Sequence, residues 1–288
     1  MAKSMKDNVA FLLGREAELP PTPLDVDHLF VGEERPVYGG AGLDLSGKPK
    51  ILFLMGQQGA GKTTWARWVG ERAEQRDSDT PPVLVSVDHV NRDLALYHRQ
   101  TLQPKGSEPA FVVAYLEKLF SRLLELKRSA VIDFGGGDTA MLTLLAQTPG
   151  LHTMLEEGGV EPVALYFLSP RVNDLIPVAA MERAGFRPRA TALMLNIGRT
   201  DPSKPVEEWF SNIRRQPEYK AVVERGAVEV WFPKLHAAVA VEQRKIGFWA
   251  ATNNAGPNPL GIFDHRRVSD WLGQMDEAMQ PIASWVDL

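Results

Sequence analysis

Residues 53–65, FLMGQQGAGKTTW, hold the residue types and spacing best suited to chemistry in this chain. The pattern G-x-x-x-x-G-K-[ST] lets glycine backbone curl so that its N–H groups face phosphate oxygens, and the helix behind it adds about half a positive charge. We expect Lys62 to reach the β- and γ-phosphates and the Thr63 hydroxyl to ligate magnesium. The residues predicted to bind nucleotide here are Gly56, Gln57, Gln58, Gly59, Ala60, Gly61, Lys62, Thr63 and Thr64.

Two carboxylates follow later apolar stretches. Asp88, in VLVSVDHV, either caps the next helix or positions an attacking or magnesium-bound water. Asp133, in AVIDFGGGD, is predicted to hold magnesium, because a carboxylate after a buried strand commonly does so in P-loop proteins. The alternative for Asp133 is exposure in a glycine-rich turn. Gly136 and its neighbours would let backbone approach a γ-phosphate, and Asp138 is interpreted as a helix N-cap rather than a ligand.

The elements that must position these residues are alternating apolar strands and amphipathic helices, from KILFLMG onward. Nearly continuous apolar strands predict an α/β fold with a mostly parallel sheet and helices on both faces. Ligands of such sheets bind beyond the carboxyl ends of the strands. We expect residues 50–288 to form this P-loop nucleotide-binding domain. We expect residues 1–49 to be an N-terminal extension that packs on it, because LDVDHLF carries spaced apolar residues.

The order of these motifs resembles the ParA/MinD family of P-loop ATPases over roughly residues 50–255. The phosphate-binding loop of residues 56–63, called the cradle below, is followed in order by VDHVN, VIDFGGGD, LSP, LMLN and FP. The stretch VDHVNRDLALYH is similar to one in TraL-like members from conjugative plasmids. The resemblance implies ATP and Mg2+ as ligands, with Asp88 aiding hydrolysis and Asp133 supporting magnesium. It also implies that Asn196 hydrogen-bonds adenine and that the residues around Pro233 pack near the base.

The sequence departs from the family pattern inside the cradle. Gln57 stands where most members carry a lysine that reaches the partner subunit's phosphates, and Gln58 replaces the usual second glycine. Glutamine brings no charge, so we expect weaker transition-state stabilisation across a nucleotide-dependent homodimer. Ser86 and His89 replace the first aspartate and the proline of the family's DxDP motif.

The amino-acid composition argues against several classes of binding partner and site. The chain is 44% hydrophobic and 24% charged, which is ordinary for a soluble globular protein, and its net charge of -4 gives no general attraction to nucleic acid or anionic membrane. The absence of cysteine excludes disulfides and thiolate metal sites. With no stretch of about 20 apolar residues, we expect a cytoplasmic protein without membrane anchorage. Trp65 and Trp68 are predicted to pack in the core or at an interface.

Three functions stay open at this point. The first is an ATP-binding, slowly hydrolysing ParA/MinD-like switch in plasmid partition or conjugative transfer, which acts through a protein partner or DNA. The second is a phosphotransferase resembling zeta-toxin kinases, in which Asp88 is the base. The third is a nucleotide-binding interaction module with little hydrolysis. Four arginines are read as solvated charge, a DNA-contacting patch or a phosphate lid: Arg187, Arg189, Arg214 and Arg215.

Overall fold

The computed structural model describes residues 42–76, 80–87, 93–136, 139–253 and 258–288. Asp88, His89 and Asp138 lie outside the described residues, as does nearly all of the segment 1–49. The roles assigned to those residues from the sequence, including the packing of the N-terminal extension, therefore stay predictions.

Within the described residues, six strands form one sheet, and every neighbouring pair runs parallel. The strand order is β2-β3-β1-β4-β5-β6, so the chain moves to one side of β1 first and crosses to its other side after β3. The order thus reverses at β1, which is where open parallel sheets place their ligands. The strands are β1 Lys50–Gly56, β2 Val83–Ser86, β3 Ala130–Asp133, β4 Glu161–Leu168, β5 Ala190–Asn196 and β6 Val228–Phe232.

Helices connect the strands and continue after the last one. Among the described residues they are α1 Lys62–Gln75, α2 Asp93–Tyr97, α3 Pro109–Leu126, α4 Ala140–Gln147, α5 Leu151–Glu157, α6 Ile176–Arg183, α7 Ser211–Arg214, α8 Pro217–Glu224, α9 Ala238–Arg244, α10 Phe248–Thr252, α11 Ile262–Ala278 and α12 Ala283–Val286. Short 3-10 turns occupy Val172–Leu175, Ile197–Arg199, Val206–Glu208 and Gln280–Ile282. A parallel connection needs such a crossover because both strands must start from the same edge.

The sheet is buried on both faces, as its sequence predicts. Side chains alternate along a strand, so neighbours on β1 enter different layers. Leu52 and Leu54 join the large apolar cluster that contains Trp65 of α1 and Trp271 of α11. Phe53 points to the other layer, where its ring centroid lies 5.8 Å from that of Phe120 on α3. The architecture is therefore an α/β sheet with helices on both faces.

The C-terminal residues close the amino edge of this sheet. The Trp285 indole donates to the Leu43 carbonyl at 2.8 Å, and the Leu45 N–H donates to Ser284 Oγ at 3.2 Å. The buried Lys50 ammonium donates to the Asp287 carbonyl at 2.8 Å. These contacts tie the chain just before β1 to its last turn.

Most predicted elements are found close to their expected positions. KILFLMG is strand β1 and KTTWARWVGERAEQ is helix α1, residue for residue. Trp65 and Trp68 are both fully buried, which confirms the core prediction. Of the helices that the structure describes, not one combines the length and the apolar character required to cross a bilayer.

Candidate functional site

The loop between β1 and α1 forms a cradle at the carboxyl edge of the sheet. Gly59 and Gly61 adopt φ of +73° and +106°, a region that L side chains rarely enter. A Cβ on Gly61 would stand 2.5 Å from the Phe232 ring, so glycine is required there by packing as well as by conformation. α1 then starts at Lys62 with no acidic residue in its first turn, so no carboxylate there offsets the positive end of the helix dipole.

Lys62 lies inside the loop that it is expected to serve. Its side chain is almost fully buried, and Nζ donates to the carbonyls of Gly56 at 2.8 Å and Gln57 at 3.0 Å. The loop's own carbonyls therefore hold the ammonium in place. Its contact with phosphate oxygens stays a prediction of the motif.

Thr63 and Asp133 come together across two neighbouring strands. The Thr63 hydroxyl donates to Asp133 Oδ2 at 2.7 Å, and Asp133 is buried at the end of β3. Hydroxyl and carboxylate oxygens are the ligand types that magnesium prefers. This pair fits the predicted magnesium role by its donor set, and Asp133 is buried rather than exposed in a glycine-rich turn.

Gly136 packs against the cradle itself. A Cβ at this position would stand 2.4 Å from the Gln58 backbone nitrogen and 3.0 Å from the Gln57 carbonyl carbon. The sequence led us to expect that these glycines approach a γ-phosphate. The close approach within the described residues is to the peptide that joins Gln57 and Gln58, so Gly136 packs on the loop backbone, and its approach to a γ-phosphate stays a prediction.

Asn196, at the end of β5, also contacts the cradle. Its Nδ2 donates to the Ala60 carbonyl at 2.7 Å, and its Oδ1 accepts from the Gly198 N–H at 2.8 Å. The side chain is buried. Asn196 therefore contacts the loop, with both ends of its amide engaged by backbone, and its hydrogen bond to adenine stays a prediction.

The end of β6 completes this side of the site. Phe232 covers Gly61 and meets Phe167 edge to face, with ring centroids 5.7 Å apart. Pro233 follows directly, and its carbonyl accepts a hydrogen bond from the Trp271 indole at 3.2 Å. The predicted base-side residues are thus adjacent to the cradle, and Phe232 is the one in contact with it.

Arg199 was not singled out by the sequence motifs, and Ser86 was noted only as a departure from the family's DxDP motif. Arg199 donates from Nε and Nη2 to the Gly59 carbonyl at 3.0 and 2.6 Å. Ser86 ends β2 in register with Asp133, and its hydroxyl is buried with no hydrogen-bond partner among the described residues. The signal that could have found both is their place at the carboxyl ends of strands next to the cradle.

Arg67 links α1 to the segment that follows Asp88. Its guanidinium carbon lies 3.3 Å from the centroid of the Tyr97 ring and 4.4 Å from that of Phe248. Burial lowers the pKa of Arg67 and raises the pKa of the neighbouring Glu71 carboxyl. The Tyr97 contact anchors α2, which begins at Asp93, on α1, and the Phe248 contact does the same for α10.

Three of the arginines considered as a lid or a DNA patch are paired within the chain. Arg214 donates to both Glu229 oxygens, at 3.2 and 2.6 Å, and Glu229 also accepts from Tyr219. Arg187 and Arg189 lie within 4 Å of Glu182 and Glu161, respectively. Their carboxylate partners offset their charge, so they do not form a free cationic surface.

A protein-family match covers the part of the chain that contains the cradle and Asp133. A family model described as an AAA domain matches residues 51–172, from β1 to just beyond β4. Among curated proteins, none matches this sequence. Together with the loop geometry, the AAA match supports a P-loop NTPase-like domain with a nucleotide-binding fold.

Solved structures with similar folds are distant in sequence. A chain of the MinC:MinD cell division protein complex from Aquifex aeolicus is 10% identical with a TM-score of 0.43, over 79% of this chain and 96% of that one. FtsY from Thermotoga maritima is 14% identical with a TM-score of 0.39, over 66% and 64%. The signal recognition particle receptor FtsY from Elizabethkingia anophelis, in complex with GDP, is 15% identical with a TM-score of 0.37, over 69% and 61%.

Proposed function

We propose that this protein binds a magnesium nucleoside triphosphate, ATP by its family resemblance, and hydrolyses it slowly as a ParA/MinD-like switch. The observation that carries the proposal is the hydrogen bond between Thr63 and Asp133 beside the Lys62 ammonium. A fixed cation, a run of loop N–H groups and an oxygen pair of magnesium type occupy one edge of the sheet. This combination is what phosphoryl chemistry requires.

Each residue has a distinct task in this proposal. Lys62 places positive charge where the β- and γ-phosphates accumulate negative charge, and the loop N–H groups bind their oxygens. Thr63 and Asp133 would hold magnesium, which supplies further charge neutralisation when bound. Asp88, from its sequence position, orients the attacking water. None of these tasks needs a covalent intermediate on the protein.

We expect ATP hydrolysis to be slow because the cradle carries few charged residues. Residues 57–61, QQGAG, carry no charge, so Lys62 is the cation that the loop motif itself supplies. A neutral Gln57 cannot lend charge to the phosphates of a second subunit. A nucleotide state that persists for a long time suits a switch that assembles with a partner protein. Plasmid partition or conjugative transfer is the task proposed from the resemblance.

The test combines phosphate release and oligomeric state in one sample. Purified protein is incubated with magnesium ATP, and released phosphate is measured beside mass by light scattering. We expect slow release with ATP-dependent dimerisation, both lost in Lys62→Ala. The matched control is Lys118→Ala, which removes an exposed lysine from α3.

Other outcomes separate the alternatives. Phosphate that appears only on an added acceptor, without dimerisation, would replace the switch with a phosphotransferase. Tight ATP binding with neither release nor dimerisation would leave a nucleotide-binding interaction module. Absence of ATP binding by the unaltered protein would overturn the proposal altogether.

A further inference from the structure

The turn after β5 grips two consecutive carbonyls of the cradle. Asn196 Nδ2 donates to the Ala60 carbonyl at 2.7 Å. Three residues later, Arg199 donates to the Gly59 carbonyl from both Nε and Nη2, at 3.0 and 2.6 Å. The Arg199 side chain is otherwise exposed. The loop is therefore tied to β5 by one neutral and one charge-assisted contact.

The contact between Arg199 and the Gly59 carbonyl fixes the direction of the Ala60 N–H, because both groups belong to one peptide. In a trans peptide the C=O and the following N–H point in opposite directions. The Ala60 N–H, on the same peptide as the Gly59 carbonyl, faces the Gln57 carbonyl at 3.2 Å. Lys62 Nζ donates to that same Gln57 oxygen, so the Ala60 N–H and the Lys62 ammonium share one acceptor. Arg199 thus holds the carbonyl end of a peptide whose N–H is hydrogen-bonded within the loop.

The contact is also built into the shape of the loop. Gly59 has a left-handed φ of +73°, and a Cβ on it would stand 2.5 Å from Arg199 Nη2. A side chain at residue 59 would therefore displace the guanidinium. Hydrogen bonds from a charged donor are roughly twice as strong as neutral ones, and solvent around the exposed Arg199 guanidinium reduces that advantage.

We propose that Arg199 is a positioning residue, which holds the Gly59–Ala60 peptide, and with it the curl of the loop, in place before nucleotide arrives and sets a positive charge beside an otherwise neutral loop tip. The proposal rests on the proposed nucleotide site. It assigns the preorganisation of the cradle to a residue of the same chain, far outside the loop motif, so that a single subunit binds nucleotide without help from a partner.

The experiment compares nucleotide affinity in four variants. Arg199→Met keeps the apolar stem and removes the donors, whereas Arg199→Lys restores the charge with a single point of contact. Arg183→Met is the matched control, because this exposed arginine ends α6 and leads toward the amino edge of β5. Lys62→Ala reports on the nucleotide site itself. Dissociation constants for magnesium ATP and magnesium ADP are measured by calorimetry, with thermal melting in the absence of nucleotide.

We expect Arg199→Met to weaken both nucleotides by about three- to tenfold, below the usual range for loss of a charge-assisted hydrogen bond because the guanidinium is exposed to solvent. Arg199→Lys should recover part of this loss, and Arg183→Met should bind as the unaltered protein does. Melting without nucleotide should change little, because the guanidinium is exposed. A single subunit should bind, as judged by light scattering at low protein concentration.

The variants distinguish a failure of the role of Arg199 from a failure of the proposed function. Unchanged affinity in Arg199→Met, together with loss of binding in Lys62→Ala, would overturn the role of Arg199 and leave the proposed function standing. An equal loss of affinity and of melting temperature in Arg199→Met and Arg199→Lys would show a merely structural residue and overturn the role as well. Failure of the unaltered protein to bind nucleotide would overturn the proposed function and this inference with it.

Discussion

The Thr63 hydroxyl donates a hydrogen bond to Asp133 Oδ2 at 2.7 Å, although 70 residues separate them in the chain. The contact exists because β1 and β3 are neighbours in the sheet, with Leu54 opposite Asp133. Thr63 starts the helix that follows β1, so the two carboxyl-edge loops meet over one point. The hydroxyl of the loop and the carboxylate at the end of β3 are therefore close enough to bind one cation together.

Loss of this oxygen pair should remove the magnesium dependence of nucleotide binding. Thr63→Val keeps the shape of the side chain and Asp133→Asn keeps the size, and each takes away one oxygen-based function. We expect affinity for magnesium ATP to fall by about tenfold or more, while affinity measured with EDTA stays near that of the unaltered protein. Calorimetry with and without magnesium measures this. Thr143→Val on α4 is the control, and a magnesium effect that survives in both site variants would contradict the assignment.

Gly136 should tolerate no side chain. In Gly136→Ala the new methyl group would press on the Gln58 nitrogen, so we expect weaker nucleotide binding because the loop must shift. Gly273→Ala is the matched control, since a Cβ in that helical position meets nothing within 4 Å. The control should keep its affinity and gain up to about 1 kcal/mol of stability from helix propensity. Equal nucleotide affinities in the two alanine variants would contradict the role of Gly136.

Phe53 should be among the most costly core residues to truncate. Its ring is fully buried and lies between Phe120, Phe134 and Phe186, with centroids 4.9 to 6.1 Å away. We expect Phe53→Ala to lower the free energy of unfolding by about 3–5 kcal/mol. Urea denaturation measures it against Phe263→Ala, in which the removed ring is 77% exposed. Equal losses of unfolding free energy in the two variants would contradict the placement of Phe53 in the hydrophobic core.

Lys50 should make stability depend on pH in the alkaline range. Burial lowers the pKa of its ammonium to about 8 from an ordinary value of 10.5, with Asp44 acting in the opposite direction. Between these pH values the unfolded chain binds more protons than the folded one, so stability rises with pH from about 8 to 10.5. The cost of the buried charge is fully present below pH 8 and is removed as pH passes 10.5.

Comparison with Lys50→Met isolates this effect. We expect the unaltered protein to gain stability relative to the variant as pH is raised from 7.5 to 10, measured by urea denaturation. Loss of the hydrogen bond to the Asp287 carbonyl lowers the stability of the variant by an amount that does not follow this pH profile. A stability difference that stays constant across the range would show that Lys50 keeps its ordinary pKa.

The sequence by itself determined the elements and the local chemistry. Apolar runs of strand length and helical spacing predicted β1, α1 and the parallel α/β class, because burial on both faces leaves a pattern that is read locally. The loop motif likewise predicted Gly61, Lys62 and Thr63, whose spacing is set by one strand–loop–helix unit. These are features for which all the necessary residues lie within a few turns of one another.

The order of the motifs had already assigned Asp133 and Asn196 to this site, and only the tertiary structure decided which atoms these distant residues contact. The strand order places Asp133 beside Thr63 and brings the turn after β5 against the loop, so Arg199 and Asn196 reach neighbouring carbonyls. It also gave Gly136 a partner in the loop backbone and gave Arg214 a partner in Glu229. Such contacts depend on the lateral order and register of strands, which are fixed by long-range packing and leave no local pattern in the chain.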